Sequence, residues 1–478
     1  MTTPKPPRIT KPTPLATLAM ACTIAFVSPT NAQVCDPTPI AKLLATDGAQ
    51  RDRFGWEIDI DADTAIISAY LDNDNGFDSG SAYIYTRDAN GQWSQTQKLT
   101  AIDGQPQEFF GYSVAIDGDI AAVGALLATD NAIQSGAVYI YTRTGNTWNF
   151  DTKLVPANPA DLDHFGFKVA IDGQTLVVAS DNDDTINGED SGSVYIYTRD
   201  AGTWSLETQL LPADGDPADF FATAIDIQAD TLAVGTPNDD DRATDAGAVY
   251  VYTRDAGIWS FEAKLLASDA ADGDWLGISL AIDNNTIVAG ATKRDNNGED
   301  SGAAYVFTRT GTTWFTEATL LAFDGAPNDR FGASVAVEAD TVVVGAPRAD
   351  ETGVDSGAVY AYTRYDGIWA HQPKALADDL GPDDRFGRSV AYDNGTLLVG
   401  AYFEDQLGIN AGSTYAFDLG CAPCPPDLNH DAALNFFDVS AFLAAFSAQD
   451  PIADFNSDGS FNFFDVSAFL TAFAAGCP

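Results

Sequence analysis

A Phe-Gly pair, or a near relative of it, recurs at Phe54, Phe110, Phe165, Phe221, Leu276, Phe331 and Phe386, always 55 or 56 residues from the last. A tyrosine follows each at Tyr83, Tyr139, Tyr195, Tyr250, Tyr305, Tyr360 and Tyr415. A self-similarity of this period governs the whole fold and has to be read before any single element. Inside one unit, Arg330 to Leu376, four strand-like runs appear: Ser334–Val337, Thr341–Ala346, Ala358–Thr363 and Ile368–Leu376. Gly, Asp, Asn and Pro separate them, which is the pattern of an antiparallel meander. One such sheet cannot bury both of its faces, so each unit needs neighbours like itself.

The ends of the repeat show how the array terminates. Lys98-Leu99, Lys153-Leu154, Gln209-Leu210, Lys264-Leu265, Thr319-Leu320 and Lys374-Ala375 close the fourth run, each twelve residues before the next Phe-Gly position. Lys42-Leu43 stands at the same distance ahead of Phe54, with no unit before it. The fourth-run tryptophan, in contrast, recurs only six times, at Trp93, Trp148, Trp204, Trp259, Trp314 and Trp369. The seventh unit therefore lacks its last strand, and that strand stands alone at the N-terminus. A parallel solenoid would leave both ends exposed, whereas a closed ring removes the free edges. The expectation is an all-β, seven-bladed β-propeller closed by the N-terminal strand.

Residues 1–32 read as an export signal, with Lys5, Arg8 and Lys11 before an apolar run from Leu15 to Val27 and small residues at Thr30-Asn31-Ala32. No later segment is apolar and long enough to span a bilayer. The formal charge of −45 argues against nucleic acid or an anionic membrane surface as a partner. Cys35, Cys421, Cys424 and Cys477 remain after the signal, and four cysteines allow three pairings. Cys35 precedes the first strand and Cys421 follows the last unit, so a Cys35–Cys421 bridge would clamp the ring's seam. A Cys424–Cys477 bridge would then staple the C-terminal segment. The expected division is a signal at 1–32, a propeller at 33–420 and a small domain at 421–478.

The units resemble FG-GAP repeats, the blades of integrin α-subunit propellers. The resemblance rests on Phe331-Gly332, Val344-Gly345-Ala346-Pro347, Ser356-Gly357, Tyr360-Ala361-Tyr362 and their counterparts. Integrin-type blades carry Asp-x-Asp-x-Asp-Gly calcium loops between the second and third strands. Here Asp72, Asp74 and Asp78 come nearest to that pattern, and they are the candidate blade ligands. Asp190, Asp245, Asp300, Asp355 and Asn410, like Asp78, precede Ser-Gly or Ala-Gly and read as turn residues. The repeated arginines Arg87, Arg143, Arg199, Arg254, Arg309 and Arg364 read as partners of each blade's acidic turns. His164, His371 and His430 occupy no equivalent positions, and no nucleophile elbow, zinc-protease or phosphate-loop motif appears, so no catalytic residue is assigned.

After Cys424 the pattern changes. Asp427, Asn429, Asp431, Ala433 (through its carbonyl), Asn435 and Asp438 fall at positions 1, 3, 5, 7, 9 and 12 of a calcium loop. Asp454, Asn456, Asp458, Ser460 (through its carbonyl), Asn462 and Asp465 repeat the series 27 residues later. Each loop leads into a helical stripe, Val439/Phe442/Leu443/Phe446 and Val466/Phe469/Leu470/Phe473. Two loop–helix units without incoming helices resemble a dockerin, the small α-helical module that docks to cohesin. The resemblance implies bound Ca2+, a cohesin-like partner, and partner contacts at Phe436, Phe437, Phe463 and Phe464. Ala432 replaces the turn glycine that Gly459 supplies in the second loop, which weakens the first site.

Together these features favour a secreted, non-catalytic binding or scaffold protein. Its propeller would present a face to a glycan or protein ligand, and its tail would dock, with calcium, to a cohesin-like partner or the cell exterior. The alternatives are an extracellular carbohydrate-active enzyme (a glycoside hydrolase or lyase) recruited by the tail, and a calcium-dependent adhesion protein. A convergent pocket of carboxylates and an aromatic platform on one propeller face would mark the enzyme, and a shallow, turn-lined face without one would mark the binder.

Overall fold

The computed structural model describes residues 37–130, 132–365, 367–419, 436–448, 453–455 and 460–475. The export signal, the four cysteines of the expected bridges, and Asp427, Asn429, Asp431, Ala433, Asn435, Asn456 and Asp458 lie outside them, as do the side chains of Phe436 and Phe437. The chain divides into two compact units, one spanning Val34–Cys424 and one containing Pro425–Cys477.

The first unit holds seven four-stranded antiparallel sheets. Six are sequential meanders, and the seventh takes its fourth strand from the N-terminus, Thr38–Leu43 paired with Ser413–Asp418. Lys42 lies opposite Tyr415, the register that the repeat requires at the seam. Within each blade the second strand is the most buried. Thr64–Ala69, Ile120–Ala125 and Thr396–Ala401 are covered along their whole length, because neighbouring blades pack on both faces. Fourth strands such as Trp93–Leu99 alternate between exposed and covered positions, as expected at the outer edge of a sheet.

The Phe-Gly positions join one blade to the next. Gly80 bridges Phe110, Gly302 bridges Phe331, and Gly412 bridges Phe54 to complete the circle. Gly80 has φ of +85°, and a β-carbon there would run into the backbone of Phe110, so only glycine fits. The phenylalanine then packs edge-on against the third-strand tyrosine of its own blade, as in Phe54–Tyr83 at 5.4 Å and Phe386–Tyr415 at 5.5 Å. These rings are fully buried, and each contributes roughly 1.5–3 kcal/mol from burial.

A second circle closes at the other end of the strands. Asp61 accepts from the Gly118 N–H (2.8 Å), Asp117 from Gly173, and Asp172 from Ala229 (2.6 Å). Gln228 accepts from Asn284, Asp283 from Ala339 (2.7 Å), Glu338 from Asn394 (2.9 Å), and Asp393 from Ala62 (2.7 Å). The last link crosses the seam, so every blade is tied to the next by a carboxylate or amide on a backbone N–H.

The second unit contains two helices, α1 (Phe436–Ala448) and α2 (Phe463–Ala475). Phe442, Ala453 and Phe469 form its fully buried centre, with Phe442 and Phe469 stacked at 4.2 Å and 6°. These two rings occupy equivalent repeat positions, as an approximate two-fold requires. Leu443 and Leu470, expected in the apolar stripes, are instead half exposed (54% and 50%), so the packed stripe is narrower than the periodicity suggests. Among the described residues no helix is long and apolar enough to cross a membrane.

Candidate functional site

The acidic turns of the blades are bridged from within. In the first blade Asp47, Asp72 and Asp74 converge, and the Lys98 ammonium lies among them at 2.7, 2.7 and 2.5 Å. Tyr83 donates its hydroxyl to Asp72 (2.8 Å) and Asp47 (3.0 Å). Burial works against the charge on Lys98, but hydrogen bonds to the three carboxylates prevail and raise its pKa. Asp47 is held below the usual carboxylate range in spite of burial, chiefly by Lys98. The structure thus brings Asp72 and Asp74 together around a cation that the chain itself supplies. Asp78 is elsewhere: it sits at φ +54° with its N–H donated to Asn73, a turn residue.

The same knot recurs around the ring. Lys264 meets Asp214, Asp239 and Asp241; Lys153 meets Asp103 and Asp130; Lys374 meets Asp324 and Glu351; and Lys42 meets Asp379 and Glu404 across the seam. In the fifth blade Thr319 replaces the lysine, and Arg294 reaches in from the turn to Asp269 (3.0 Å) and Asp274 (2.9 Å). Among the described residues the third blade has no cation in its knot. Gln209 donates to Asp183 (3.1 Å) beside Tyr195 and Ser193, and Asn158 stands where the other blades have the linker aspartate.

The arginine series lies at the opposite ends of the strands. Arg143 pairs with Asp119 at 2.7 Å and lies 5.3 Å over Trp148, its cross-strand neighbour; Arg254 does the same with Asp230 and Trp259. Asp119 and Asp230 lie in turns between first and second strands, not in the acidic second-to-third turns, while Arg199 and Arg309 pair with Asp151 and Glu262 on the preceding blade's fourth strand. Register explains the difference, since the Thr-Arg pair ends the third strand far from where that strand begins.

A cavity of about 550 Å³ opens on the ring axis, among the first strands. The residue after each Phe-Gly position faces it: Trp56, Tyr112, Phe167, Thr223, Ile278, Ala333 and Arg388. The series is lopsided. Arg388 lies over Trp56 (4.4 Å), Trp56 packs on Tyr112 (5.5 Å), and Tyr112 on Phe167 (5.6 Å), so four successive blades build a continuous wall. Tyr402 meets Trp56 edge-on at 5.3 Å and extends that wall. Thr223, Ile278 and Ala333 are smaller and leave room on the other side. Arg330, Arg348 and Arg385 border that space, and Glu57 is the one carboxylate of the lining, 2.6 Å from Lys168. These positions carry no motif in the sequence because they vary between blades. That variability is itself the available signal, since a repeat diverges where its side chains face a ligand rather than another blade.

In the tail, Asp438 and Asp465 are fully buried at equivalent positions in the first turns of their helices. Asn462 accepts the Phe464 N–H (2.8 Å) while its own N–H donates to Asp465 (2.8 Å), a reciprocal cap on α2. Positions 9 and 12 of the second loop are thereby fixed against the helix start, with Asp454 half-buried and Ser460 exposed nearby in sequence. Phe463 and Phe464 are both exposed, at 76% and 68%. Between Pro425 and Pro478 the sequence has seven aspartates and no lysine or arginine.

A closed ring of seven four-stranded sheets with a side-chain-lined funnel on its axis defines a seven-bladed β-propeller. Seven stretches, 38–85, 93–141, 148–197, 204–252, 259–307, 314–362 and 369–417, match the model of the FG-GAP repeat, and the chain belongs to that family. Each match begins in the strand that finishes one blade and ends in the third strand of the next, which is the phase that ring closure imposes. No curated protein matches the chain.

Proposed function

We propose that this is an exported, non-catalytic binding protein whose propeller presents the axial funnel to a ligand and whose tail docks, with calcium, to a cohesin-like protein or another component of the cell exterior. The funnel carries the reading: it joins an aromatic wall to a set of arginines, and its single carboxylate is held by Lys168. A glycosidase needs two carboxylates flanking the scissile bond, so this lining supports a binder over the enzyme. Adhesion through blade-bound calcium draws less support, because Lys98 occupies the one cluster among the described residues that approaches a metal site.

The tail's donor set fits Ca2+. Asp438 and Asp465 are buried carboxylates at the last ligand position of each expected loop, in a segment of seven aspartates without lysine or arginine, and hard oxygens of this kind suit Ca2+. Asp427, Asn429, Asp431, Ala433, Asn435 and Asp438 would hold one ion, and Asp454, Asn456, Asp458, Ser460, Asn462 and Asp465 the other. The ion supplies charge neutralisation and ties each loop to its helix start. The exposed Phe463 and Phe464 are then presented to the partner. Calorimetric titration of the full chain is expected to show about two calcium ions bound, falling by one in Asp465→Ala. If calorimetry detects no calcium uptake, the docking reading fails.

A further inference from the structure

We infer that the funnel takes an anionic sugar, a ring bearing a carboxylate or a sulfate ester. The inference deepens the binding reading above and rests on it. Across the chain acidic residues outnumber basic ones 69 to 24. In the funnel lining the balance is reversed, with Lys168, Arg330, Arg348, Arg385 and Arg388 against Glu57. Composition does not produce this reversal by itself, and a cluster of like charges costs free energy unless an anion answers it.

The arginines divide into two pairs. Arg330 and Arg385 stand at equivalent positions and are held by aspartates of the preceding blade's turn, Asp300 at 3.3 Å and Asp355 at 2.8 Å. Arg348 and Arg388 form no ion pair among the described residues, and Arg388 is steadied by the Trp56 ring instead. Guanidinium forks held in this way suit the two oxygens of a carboxylate or sulfate, and water exclusion by the neighbouring rings strengthens the bond.

The aromatic wall selects what carries the anion. Trp56, Tyr112, Phe167 and Tyr402 offer a continuous apolar surface, which a sugar ring can cover with its C–H face while its anionic edge meets the arginines. An acidic peptide would set polar backbone against those rings. The acidic turns on the same face of the propeller repel a long polyanion lying across it, so the ligand enters by a chain end.

The test is calorimetry on the full chain with four probes: trigalacturonate, a sulfated galactan oligosaccharide, its desulfated counterpart, and poly-L-glutamate. Arg348→Gln and Arg388→Gln are each expected to weaken binding of the anionic sugar roughly 10- to 100-fold, the range for a lost charge-assisted hydrogen bond, while Arg364→Gln on the far face changes nothing. Matching circular dichroism and melting among the variants separates lost contact from lost fold. Preference between the first two probes tells carboxylate from sulfate. Equal binding of the desulfated sugar, or unchanged affinity in both variants, overturns the anionic assignment but leaves a sugar-binding propeller. Preference for poly-L-glutamate replaces the sugar with an acidic protein. Binding of none of the four overturns the inference.

Discussion

The ring and the tail are both rich in carboxylates, and they differ in the cations that their own sequence supplies. In the ring, five knots contain a lysine and one an arginine, each within hydrogen-bonding reach of its aspartates or glutamates. The tail has no lysine or arginine to contribute, although Asp438 and Asp465 are as deeply buried as any residue of the propeller core. An acidic cluster that looks like a metal site in the ring is therefore a closed ion-pair network, whereas the calcium proposed for the tail would come from solution. Size sharpens the difference. The propeller has a set of large apolar clusters between blades, whereas the tail's fully buried centre is Phe442, Ala453 and Phe469, too little to be secure without help.

Chelation separates the two regions most widely. With excess EGTA the full chain is expected to lose the circular-dichroism signal of its two helices and to keep the propeller's melting transition unchanged. A propeller transition that drops on chelation would break the comparison, because it would place essential calcium in the blades.

Next in size is the removal of an internal cation. Lys98→Ala leaves Asp72, about 5% exposed, beside Asp47 and Asp74 with no positive charge. The cost is expected to be about 3 kcal/mol, as for a buried pair stripped of one partner. Millimolar calcium should restore part of it in the variant while doing nothing to the wild-type ring, since the three carboxylates then resemble the loop that Lys98 supplants. Thermal melting with and without calcium reads both effects. A variant that stays indifferent to calcium would show that the cluster's geometry, and not its lysine, excludes the metal.

Much of this is legible in the sequence. The period, the seven copies and the orphan strand at Lys42 suffice for the ring and its seam, because closure leaves a count that no linear array produces. The knots are not, although Lys98, Lys153, Lys264 and Lys374 stand out as markers of the fourth strand. Their partners arrive from three other places: Asp47 from the preceding linker, Asp72 from a turn and Tyr83 from a strand. Only the register Tyr83↔Lys98 brings them together. The funnel is hidden for a related reason. Its wall is assembled from one residue per blade, and Arg388 meets Trp56 only because the ring closes.

Acid titration should show the ring's carboxylates in two groups. Burial pushes Asp52, Asp219 and Asp384 up to about 6, and Asp59 and Asp226 up to about 7. These groups bind protons more readily folded than unfolded, where a carboxylate titrates near ~3.9. Their stabilising contribution is complete below that value and disappears as pH rises through 6 to 7. Against the effect of burial, Asp47, Asp103, Asp214, Asp324 and Asp379 are held low by their lysines and the neighbouring tyrosine hydroxyls. Their contribution is present above the unfolded value and disappears as pH falls through their depressed folded values. The melting temperature of the ring should accordingly rise from pH 8 towards about 5 and fall steeply below about 4. A scanning-calorimetry profile that is flat between pH 5 and 8 would contradict the burial of the first group.

The smallest effect is the most specific. Among the described residues the third blade is the one whose knot has neither lysine nor arginine, and Gln209 occupies the lysine's place beside Asp183. Gln209→Lys is expected to stabilise the ring, by about 1 kcal/mol or less for a partly solvated pair, since it meets one buried carboxylate and no competing base. Thr319→Lys in the fifth blade makes the same chemical change at the equivalent position but brings a second cation to Arg294, which already binds Asp269 and Asp274. That variant should gain nothing or lose stability. Opposite signs in the two melts would tie the blades' tolerance of their acidic turns to local charge matching. Equal shifts would assign the effect to the chain's net charge of −45, which any added lysine relieves.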